Sequence, residues 1–257
     1  MRLTVLGGSA AGPNTGAGCS GYLVESDGTR IVLDLGPGTL PELRRHADFR
    51  TVAGIVISHM HLDHVLDIAA LRFALAYNPI KPPGRMPLWL PPGGFAQLGR
   101  IALAFADEGE DIDYFSSVFD VSEYDPGDTL TIGDIGLTFA PTIHYVPCWA
   151  MRLRSVGSGD LGYTADTGPS APLSPFFAGV AVLIAEATLN EPGEETDHLR
   201  GHLTAREAGR LATQVNAETL VLSHIWEELH FEGLRADAAA IFRRNLVVAH
   251  PGTVVHW

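Results

Sequence analysis

The stretch His59-Met60-His61-Leu62-Asp63-His64 places four potential metal ligands within six residues. Directly before it stands Gly54-Ile55-Val56-Ile57-Ser58, a short β-branched run that predicts a buried strand. Ligands in α/β proteins bind in loops at the carboxyl ends of such strands. In an extended loop the first two histidines point the same way and can chelate one ion, while the aspartate and third histidine begin the next helix and can face a second. The alternative is a solvated turn that happens to be rich in histidine.

Five further predicted strands also end in a polar side chain, which chance would rarely arrange. Two metal ions roughly 3.5–4 Å apart, bridged by a carboxylate and a hydroxide, would use such a set. The side chains are Asp34 at the end of 31–33, His144 after 137–143, Asp166 after 162–165, Glu186 after 181–185 and His224 after 220–223.

The pattern of short apolar runs and helical stretches predicts the fold class. The runs are rich in Val, Ile and Leu and too short for helices, so we expect buried strands at 3–6, 22–24, 31–35, 54–57, 137–140, 181–185 and 220–222. Helix-like stretches at 65–77, 94–106, 204–215 and 234–244 interleave irregularly with them. This order is typical of an α/β (α+β) protein with mixed sheets. No repeat or low-complexity linker divides the chain, so we expect a single domain over 1–257.

The composition excludes several classes of partner. The 257 residues include 17 Lys and Arg against 30 Asp and Glu, for a formal net charge of −13. Such a surface repels a phosphate backbone, so no stable nucleic-acid partner is expected.

Eleven histidines favour metal binding or proton transfer. Two cysteines outside any CxxC, together with the lack of a long apolar segment, predict a cytoplasmic protein without membrane association. The acidic stretch 107–113 predicts a solvated loop, with a lid over the pocket as the alternative.

The ordered set of ligands resembles that of the metallo-β-lactamase superfamily. It consists of HxHxDH at 59–64, His144, Asp166 in an Ala-Asp-Thr-Gly turn, and His224. More narrowly, the chain resembles the ribonuclease Z-like branch, and within it the short bacterial members that act as cyclic nucleotide phosphodiesterases. The segments that carry this narrower resemblance are Thr4-Val5-Leu6-Gly7-Gly8-Ser9, Ser20-Gly21-Tyr22-Leu23-Val24, Leu33-Asp34-Leu35-Gly36-Pro37-Gly38 and His202-Leu203-Thr204-Ala205-Arg206-Glu207-Ala208.

The resemblance implies a four-layer αββα sandwich of two mixed sheets with a binuclear site at one edge. It implies two divalent ions as cofactors, with Asp166 bridging them. Imidazole-rich ligation favours zinc, and a mixed nitrogen and oxygen site also accepts manganese or iron. Asp63 is a candidate catalytic residue as well as a ligand. The implied ligands are His59, His61 and His144 for one ion, and Asp63, His64 and His224 for the other.

Three more residues are candidates for supporting roles. Asp34 and Glu186 are interpreted as groups that hydrogen-bond ligating imidazoles and fix their tautomers, with a turn-forming aspartate as the alternative for the first. In the ribonuclease Z-like branch the histidine that matches His202 contacts the scissile phosphate or protonates the leaving oxygen, and His198 is the competitor for that role. His202 is favoured because Leu-Thr-Ala-Arg-Glu-Ala follows it.

The chain also departs from the ribonuclease Z pattern. Those enzymes carry a long basic arm for tRNA, whereas here only the 21 residues 145–165 separate His144 from Asp166, enough for two strands and a turn. Ala165 stands where the branch usually has glycine.

Lys81 and Arg85 could face an anionic substrate from a Pro-rich connection, or that connection is merely solvated. Trp149 could line the pocket or belong to the core.

These features predict a binuclear metal-dependent hydrolase. The favoured substrate is a small anionic phosphodiester such as a cyclic nucleotide, attacked by a metal-bridging hydroxide. The alternative keeps the metals and cleaves a carbonyl substrate, namely a lactone, ester, thioester or β-lactam. A tRNA 3′ processing endonuclease and a non-catalytic metal-binding accessory protein are less favoured. The resemblance also implies a possible homodimer.

Overall fold

Two seven-stranded sheets form the centre of the computed structural model, which describes residues 1–106 and 113–257. The acidic stretch predicted as a solvated loop therefore lies outside the described residues, apart from Asp113. The first sheet contains β1 (Arg2–Gly7), β2 (Gly21–Glu25), β3 (Arg30–Leu35), β4 (Gly54–Val56), β5 (Met86–Leu90), β6 (Phe119–Glu123) and β14 (Val254–His256), in the order β14-β1-β2-β3-β4-β5-β6. The second contains β7 (Leu130–Ile132), β8 (Ile135–Pro141), β9 (Trp149–Ser155), β10 (Leu161–Tyr163), β11 (Val182–Glu186), β12 (Thr219–Ser223) and β13 (Asn245–Val248), in the order β13-β12-β11-β10-β9-β8-β7.

Helices cover the outer face of each sheet. They are α1 (Thr39–His46), α2 (Leu62–Val65), α3 (Asp67–Tyr77), α4 (Gly94–Phe105), α5 (Leu173–Phe176), α6 (Ala205–Gln214) and α7 (Phe231–Ile241), with short 3₁₀ turns at Phe49–Thr51 and Glu227–Leu229. Among the described residues, no helix is long and apolar enough to cross a membrane.

Strand periodicity produces the layers. Successive side chains of a strand point to opposite faces of its sheet. In β11, Val182 and Ile184 face the core between the two sheets, whereas Leu183 and Ala185 pack with the helices on the other side. A third apolar cluster joins the outer face of the first sheet to α1, α3 and α4. Three apolar layers between four structural layers are the αββα sandwich that was predicted, and the fold class is confirmed.

The directions of the strands bring the predicted site residues to one edge. Strands β10, β11 and β12 are parallel, and β8 runs in the same direction because it is separated from β10 by the antiparallel β9. Strands β3 and β4 of the first sheet are likewise parallel. Carboxyl ends of parallel strands lie at the same edge of a sheet. The loops that follow these six strands therefore contribute to one region.

Most predicted elements coincide with observed ones. All seven apolar runs are strands, and 145–165 forms two strands, as expected from its length. The helix predicted at 65–77 is divided into α2 and α3, with a break at Leu66, because the metal motif itself forms the first turn. The predicted capping box at the start of α6 is present, with Thr204 accepting from the Glu207 amide and Glu207 accepting from the Thr204 amide.

Candidate metal centre

The seven side chains predicted as ligands meet at the shared edge of the sandwich. Four come from the loop after β4 and from α2, which belong to the first sheet, and three come from loops of the second sheet. They form two groups that share one carboxylate, namely His59, His61, His144 and Asp166 in the first group and Asp63, His64, Asp166 and His224 in the second.

The first group is a triangle of imidazole nitrogens. Nδ1 of His61 lies 3.1 Å from Nε2 of His59 and 3.0 Å from Nε2 of His144. The Oδ2 atom of Asp166 lies 3.7 Å from the first of these Nε2 atoms and 3.6 Å from the second. Three nitrogens and one oxygen at these separations are a donor set for a transition metal.

The second group contains two imidazoles and two carboxylates. Nε2 of His224 lies 3.0 Å from Oδ2 of Asp63, and Nε2 of His64 lies 3.5 Å from the same oxygen. Asp166 faces this group as well, with Oδ1 at 3.3 Å from His64 Nε2 and Oδ2 at 3.5 Å from His224 Nε2. The Asp166 carboxylate is thus placed between the groups, where a bridging ligand would stand. The backbone amide of Ala11 also donates to Asp63 Oδ2, at 2.9 Å.

Hydrogen bonds fix the tautomer of four of the five imidazoles. Each of the four uses Nδ1 to donate to an oxygen of the protein, so in the neutral ring Nε2 is the nitrogen that faces the groups and can bind a metal. For His64 and His144 the partner is a carboxylate or a carbonyl, which can only accept. For His59 and His224 the partner is a hydroxyl that already donates to Asp34 or Glu186 and must therefore accept from the imidazole. The pairs are His59 with Ser58 Oγ at 3.0 Å, His64 with Asp34 Oδ2 at 2.7 Å, His144 with the Gly201 carbonyl at 2.9 Å, and His224 with Thr188 Oγ1 at 2.7 Å.

These donor atoms fit a divalent cation. In their neutral forms, His64 and His224 face each other with bare Nε2 atoms 3.4 Å apart, which repel unless a positive charge lies beside them. Burial lowers the pKa of His59, His61 and His144, so these imidazoles are unprotonated at neutral pH, the state that binds metals.

Asp34 is a fully buried carboxylate that orients both the metal motif and a ligand. Its Oδ1 accepts from the Ser58 amide at 2.7 Å, and its Oδ2 accepts from the Ser58 hydroxyl at 2.7 Å, from His64 Nδ1 at 2.7 Å and from the Tyr163 hydroxyl at 2.6 Å. This geometry agrees with the predicted orienting role. The tyrosine was not predicted, and its sequence signal was only its position three residues before Asp166.

Replacing Asp34 with asparagine should lower the affinity of the second group for metal by about 10- to 100-fold, because an amide is a poorer partner for His64 Nδ1. Asparagine also tolerates the left-handed backbone at this position, where φ is +55°, so the fold should persist. Metal competition with a chelator measures the effect, and Asp134→Asn, a carboxylate bonded to Ser26 and Ser155, is the matched control. Unchanged metal affinity in the Asp34 variant would contradict the orienting role.

His202 lies beside both groups, and Glu186 holds it there. Its Nδ1 is 3.0 Å from Glu186 Oε1, and its ring stacks on that of His224 with centroids 5.6 Å apart and planes 18° apart. Its ring also meets that of His144 edge-on at 5.0 Å. The Glu186 carboxylate further accepts from the Thr188 hydroxyl at 2.6 Å and therefore orients His224 through that hydroxyl as well. Thr188 was not predicted, and nothing but its nearness to Glu186 indicated it.

The competing histidine is placed elsewhere. His198 lies in an exposed turn before Arg200, and no contact joins it to a ligating side chain within the part of the chain that the structure describes. The buried Arg200 pairs with Glu207 and Asp197 and donates to the carbonyl of His202 at 3.2 Å. The structure thus brings His202, and not His198, to the metal groups.

Three residues adjoining the site adopt left-handed backbone conformations. Asp34, Ala165 and His224 have φ values of +55°, +50° and +54°. This conformation costs a residue with a Cβ about 1–2 kcal/mol, a cost that glycine at the position of Ala165 would avoid. The methyl group of Ala165 packs into the core between the sheets and offsets part of that cost.

Three residues that were candidates for lining the pocket make contacts elsewhere in the protein. The Lys81 ammonium donates to the carbonyl of Ala76, and the Arg85 guanidinium lies 3.9 Å from the Asp120 carboxylate. Neither contacts a predicted ligand in the described ranges. Trp149 packs against the core between the sheets, as the alternative interpretation held.

A four-layer αββα sandwich with histidine and aspartate groups at its edge defines a metallo-β-lactamase-type hydrolase. The chain belongs to the β-lactamase superfamily: residues 29–225 match the family model described as "Beta-lactamase superfamily domain". The predicted superfamily membership is therefore confirmed, and with it the class of metal-dependent hydrolase.

Relatives match over most of the chain. The uncharacterized protein Rv1339 of Mycobacterium tuberculosis is 34% identical over 247 residues, covering 94% of this chain and 87% of its own. The probable metallo-hydrolase YhfI of Bacillus subtilis is 30% identical over 259 residues, covering 99% of both chains. A ribonuclease Z of Bradyrhizobium diazoefficiens is 29% identical over 297 residues, covering 97% of both.

Solved structures share the fold over the whole chain. The crystal structure of YhfI superposes with a TM-score of 0.83 at 27% identity, covering 99% of each chain. A diphosphatase of the PhnP family has a TM-score of 0.72 at 19% identity, with coverage of 100% and 97%. The unliganded yeast PDE1 has a TM-score of 0.71 at 14% identity, with coverage of 100% and 99%. The last two comparisons concern the fold alone.

Proposed function

We propose that this protein is a binuclear metal-dependent phosphodiesterase that hydrolyses a small phosphodiester such as a cyclic nucleotide. The observation that carries the proposal is the position of His202, whose ring lies against His144 of one ligand group and His224 of the other. A proton donor at this place can serve the oxygen that leaves phosphorus. The ribonuclease Z of Bradyrhizobium diazoefficiens, which is 29% identical to this chain, supports a phosphodiester substrate because a ribonuclease cleaves phosphodiester bonds.

The protein's own residues divide the chemistry between them. The two groups would hold divalent ions, for which their imidazole-rich donors favour zinc, and such ions supply a nucleophile from water and neutralise phosphoryl charge. Glu186 accepts from His202 Nδ1, so Nε2 is the nitrogen left to donate a proton to the departing oxygen. Ser58, Asp34, Thr188 and the Gly201 carbonyl keep the ligating imidazoles in the tautomer that binds metal.

The surroundings favour a small substrate. The net charge of −13 repels a long polyanion, and the 21 residues between His144 and Asp166 form β9, β10 and their connections rather than a basic arm. A compact monoanion needs only the local positive charge that two divalent ions would bring. This favours a cyclic nucleotide over tRNA.

A substrate panel tests the proposal. Zinc- and manganese-loaded protein is expected to hydrolyse bis(p-nitrophenyl) phosphate and at least one of cyclic AMP and cyclic GMP. Nitrocefin and p-nitrophenyl acetate represent the alternative carbonyl substrates and should turn over poorly. Hydrolysis of the carbonyl substrates without the phosphodiesters would show that the alternative reaction is the correct one.

The pH dependence should follow the proton on His202. Burial alone would lower the pKa of His202, but the charge of Glu186 and its hydrogen bond raise it to about 9. The proton donor is charged below this pKa and lost above it, so kcat/KM should fall on the alkaline side. Glu186→Gln removes the charge that raises the pKa, and the alkaline limb should move to lower pH. An alkaline limb at the same pH in both proteins would argue that another group donates the proton.

A further inference from the structure

Tyr145 is an exposed aromatic residue beside the proposed reaction centre. It directly follows the predicted ligand His144 and keeps 55% of its surface exposed. Its ring centroid lies 5.2 Å from that of His144 and 5.8 Å from that of His202, with both planes inclined to its own. No ring stacks parallel on it within the described ranges. One aromatic surface is thus available next to the groups that would hold and protonate the phosphoester.

The ring is fixed at both ends, unlike an ordinary exposed side chain. Its hydroxyl donates to Glu195 Oε2 at 2.6 Å. Its Cε2 and Cζ edge passes so close to Gly201 that a Cβ at that position would lie 2.8 and 3.0 Å from these atoms. A side chain at 201 would displace the ring, and Gly201 also supplies the carbonyl that accepts from His144 Nδ1. Glycine at 201 therefore lets the ring and the imidazole approach the same backbone.

The chain around Tyr145 is negatively charged. Segment 187–204 carries four exposed carboxylates, at Glu191, Glu194, Glu195 and Asp197. Its single arginine or lysine is Arg200, which is buried and paired with Asp197 and Glu207. A second phosphate would be repelled here, whereas a neutral ring with amino groups is compatible with both the aromatic face and the carboxylates.

We propose that Tyr145 is a specificity-determining residue that stacks on a planar, uncharged ring of the substrate, of the kind a purine base presents beside the phosphoryl group. The inference rests on the proposed function for the location of the phosphoryl group. The aromatic face binds the part of the substrate that does not react, and the ligand groups bind the part that does. Stacking of one base on an aromatic side chain corresponds to about 5- to 100-fold in affinity.

Calorimetric titration with two matched ligands tests this assignment without requiring turnover. Adenosine 5′-monophosphate and ribose 5-phosphate carry the same phosphate and sugar, and only the first carries a base. The metal-loaded wild type should bind the nucleotide about 5- to 100-fold more tightly. Tyr145→Leu should lose most of this preference without weakening ribose 5-phosphate binding, whereas Tyr145→Phe should keep most of it. Tyr77→Leu, at a tyrosine that is 66% exposed and contacts Phe73 and Arg72, is the control.

The outcomes separate the assignment from the proposed function. Metal content of each variant is measured first, so that a loss of metal is not mistaken for a loss of stacking. Equal affinity of the wild type for the two ligands, no binding of either, or equal weakening of both by Tyr145→Leu would overturn the role of Tyr145. A retained preference for the nucleotide in a protein that hydrolyses no phosphodiester would overturn the proposed function and leave the aromatic site standing.

Discussion

Replacing Asp166 with asparagine is expected to lower the metal content well below that of the wild type and to reduce phosphodiester turnover by more than about 10³-fold. The reason is that Asp166 alone belongs to both ligand groups, with Oδ2 near His59 and His144 and Oδ1 near His64. An amide keeps the shape but loses the charge and one ligating oxygen. Bound ions stabilise the transition state of such reactions by several kcal/mol, and losing that stabilisation corresponds to a rate loss of this size.

Elemental analysis of the purified variant and its rate with bis(p-nitrophenyl) phosphate measure the two effects. Asp237→Asn makes the same chemical change in an exposed ion pair with Arg206, and its metal content and rate should match the wild type. An Asp166→Asn protein with full metal content and near-normal turnover would exclude the bridging role that the geometry indicates.

His202→Ala is expected to reduce turnover by about 10²- to 10⁴-fold while leaving the metal content unchanged, because the side chain donates a proton and is not among the seven predicted ligands. The loss should depend on the leaving group. A nitrophenolate departs readily without a proton, whereas the ribose alkoxide of a cyclic nucleotide needs one. The variant should therefore lose more of its rate with cyclic AMP than with bis(p-nitrophenyl) phosphate.

His198→Ala is the matched control for this experiment. It removes a histidine that lies in an exposed turn, four residues before His202. Its rates with both substrates should equal those of the wild type. If His202→Ala lost the same factor with both leaving groups, His202 would bind the phosphate rather than protonate the leaving oxygen. If the His198 variant were the slower of the two, the assignment of the proton donor would be wrong.

The arrangement of the site could be predicted from the sequence because the immediate neighbours of each ligand in the sequence indicate its position. A buried strand followed at once by a metal-binding residue type, repeated at several places, is visible in the residue order. Parallel strands then bring these ends together without any further detail of packing. Asp166 and His224 are thus brought together even though each is isolated in the sequence, because β10, β11 and β12 are parallel.

The partners of the imidazoles could not be predicted in this way. The Thr188 hydroxyl and the Gly201 carbonyl orient His224 and His144 because two loops approach each other in space. Any threonine or any backbone carbonyl would look the same in the sequence. The same limit explains the expectation for Lys81 and Arg85, whose charges suited an anion although the fold directs them to other oxygens.

Some elements escaped prediction because their local signals are weak. Helix α1 has only eight residues and carries Pro41 in its first turn, and β14 has three residues. Strand β5 includes Pro87, which is unfavourable in a sheet interior. Tertiary pairing stabilises these segments, with β14 bound to β1 and β5 bound between β4 and β6.

The division of the ligands between the two sheets has a thermodynamic consequence. His59, His61, Asp63 and His64 belong to the first sheet and its helix, while His144, Asp166 and His224 follow strands of the second. Ions bound there would cross-link the two halves of the sandwich, and the unfolded chain offers no such site. At a thousandfold excess over its dissociation constant, one ion bound only by the native state adds about 4 kcal/mol to the free energy of unfolding. The melting temperature should therefore rise with metal concentration. The size of this rise can rank the affinities of zinc, manganese and iron before any substrate is known.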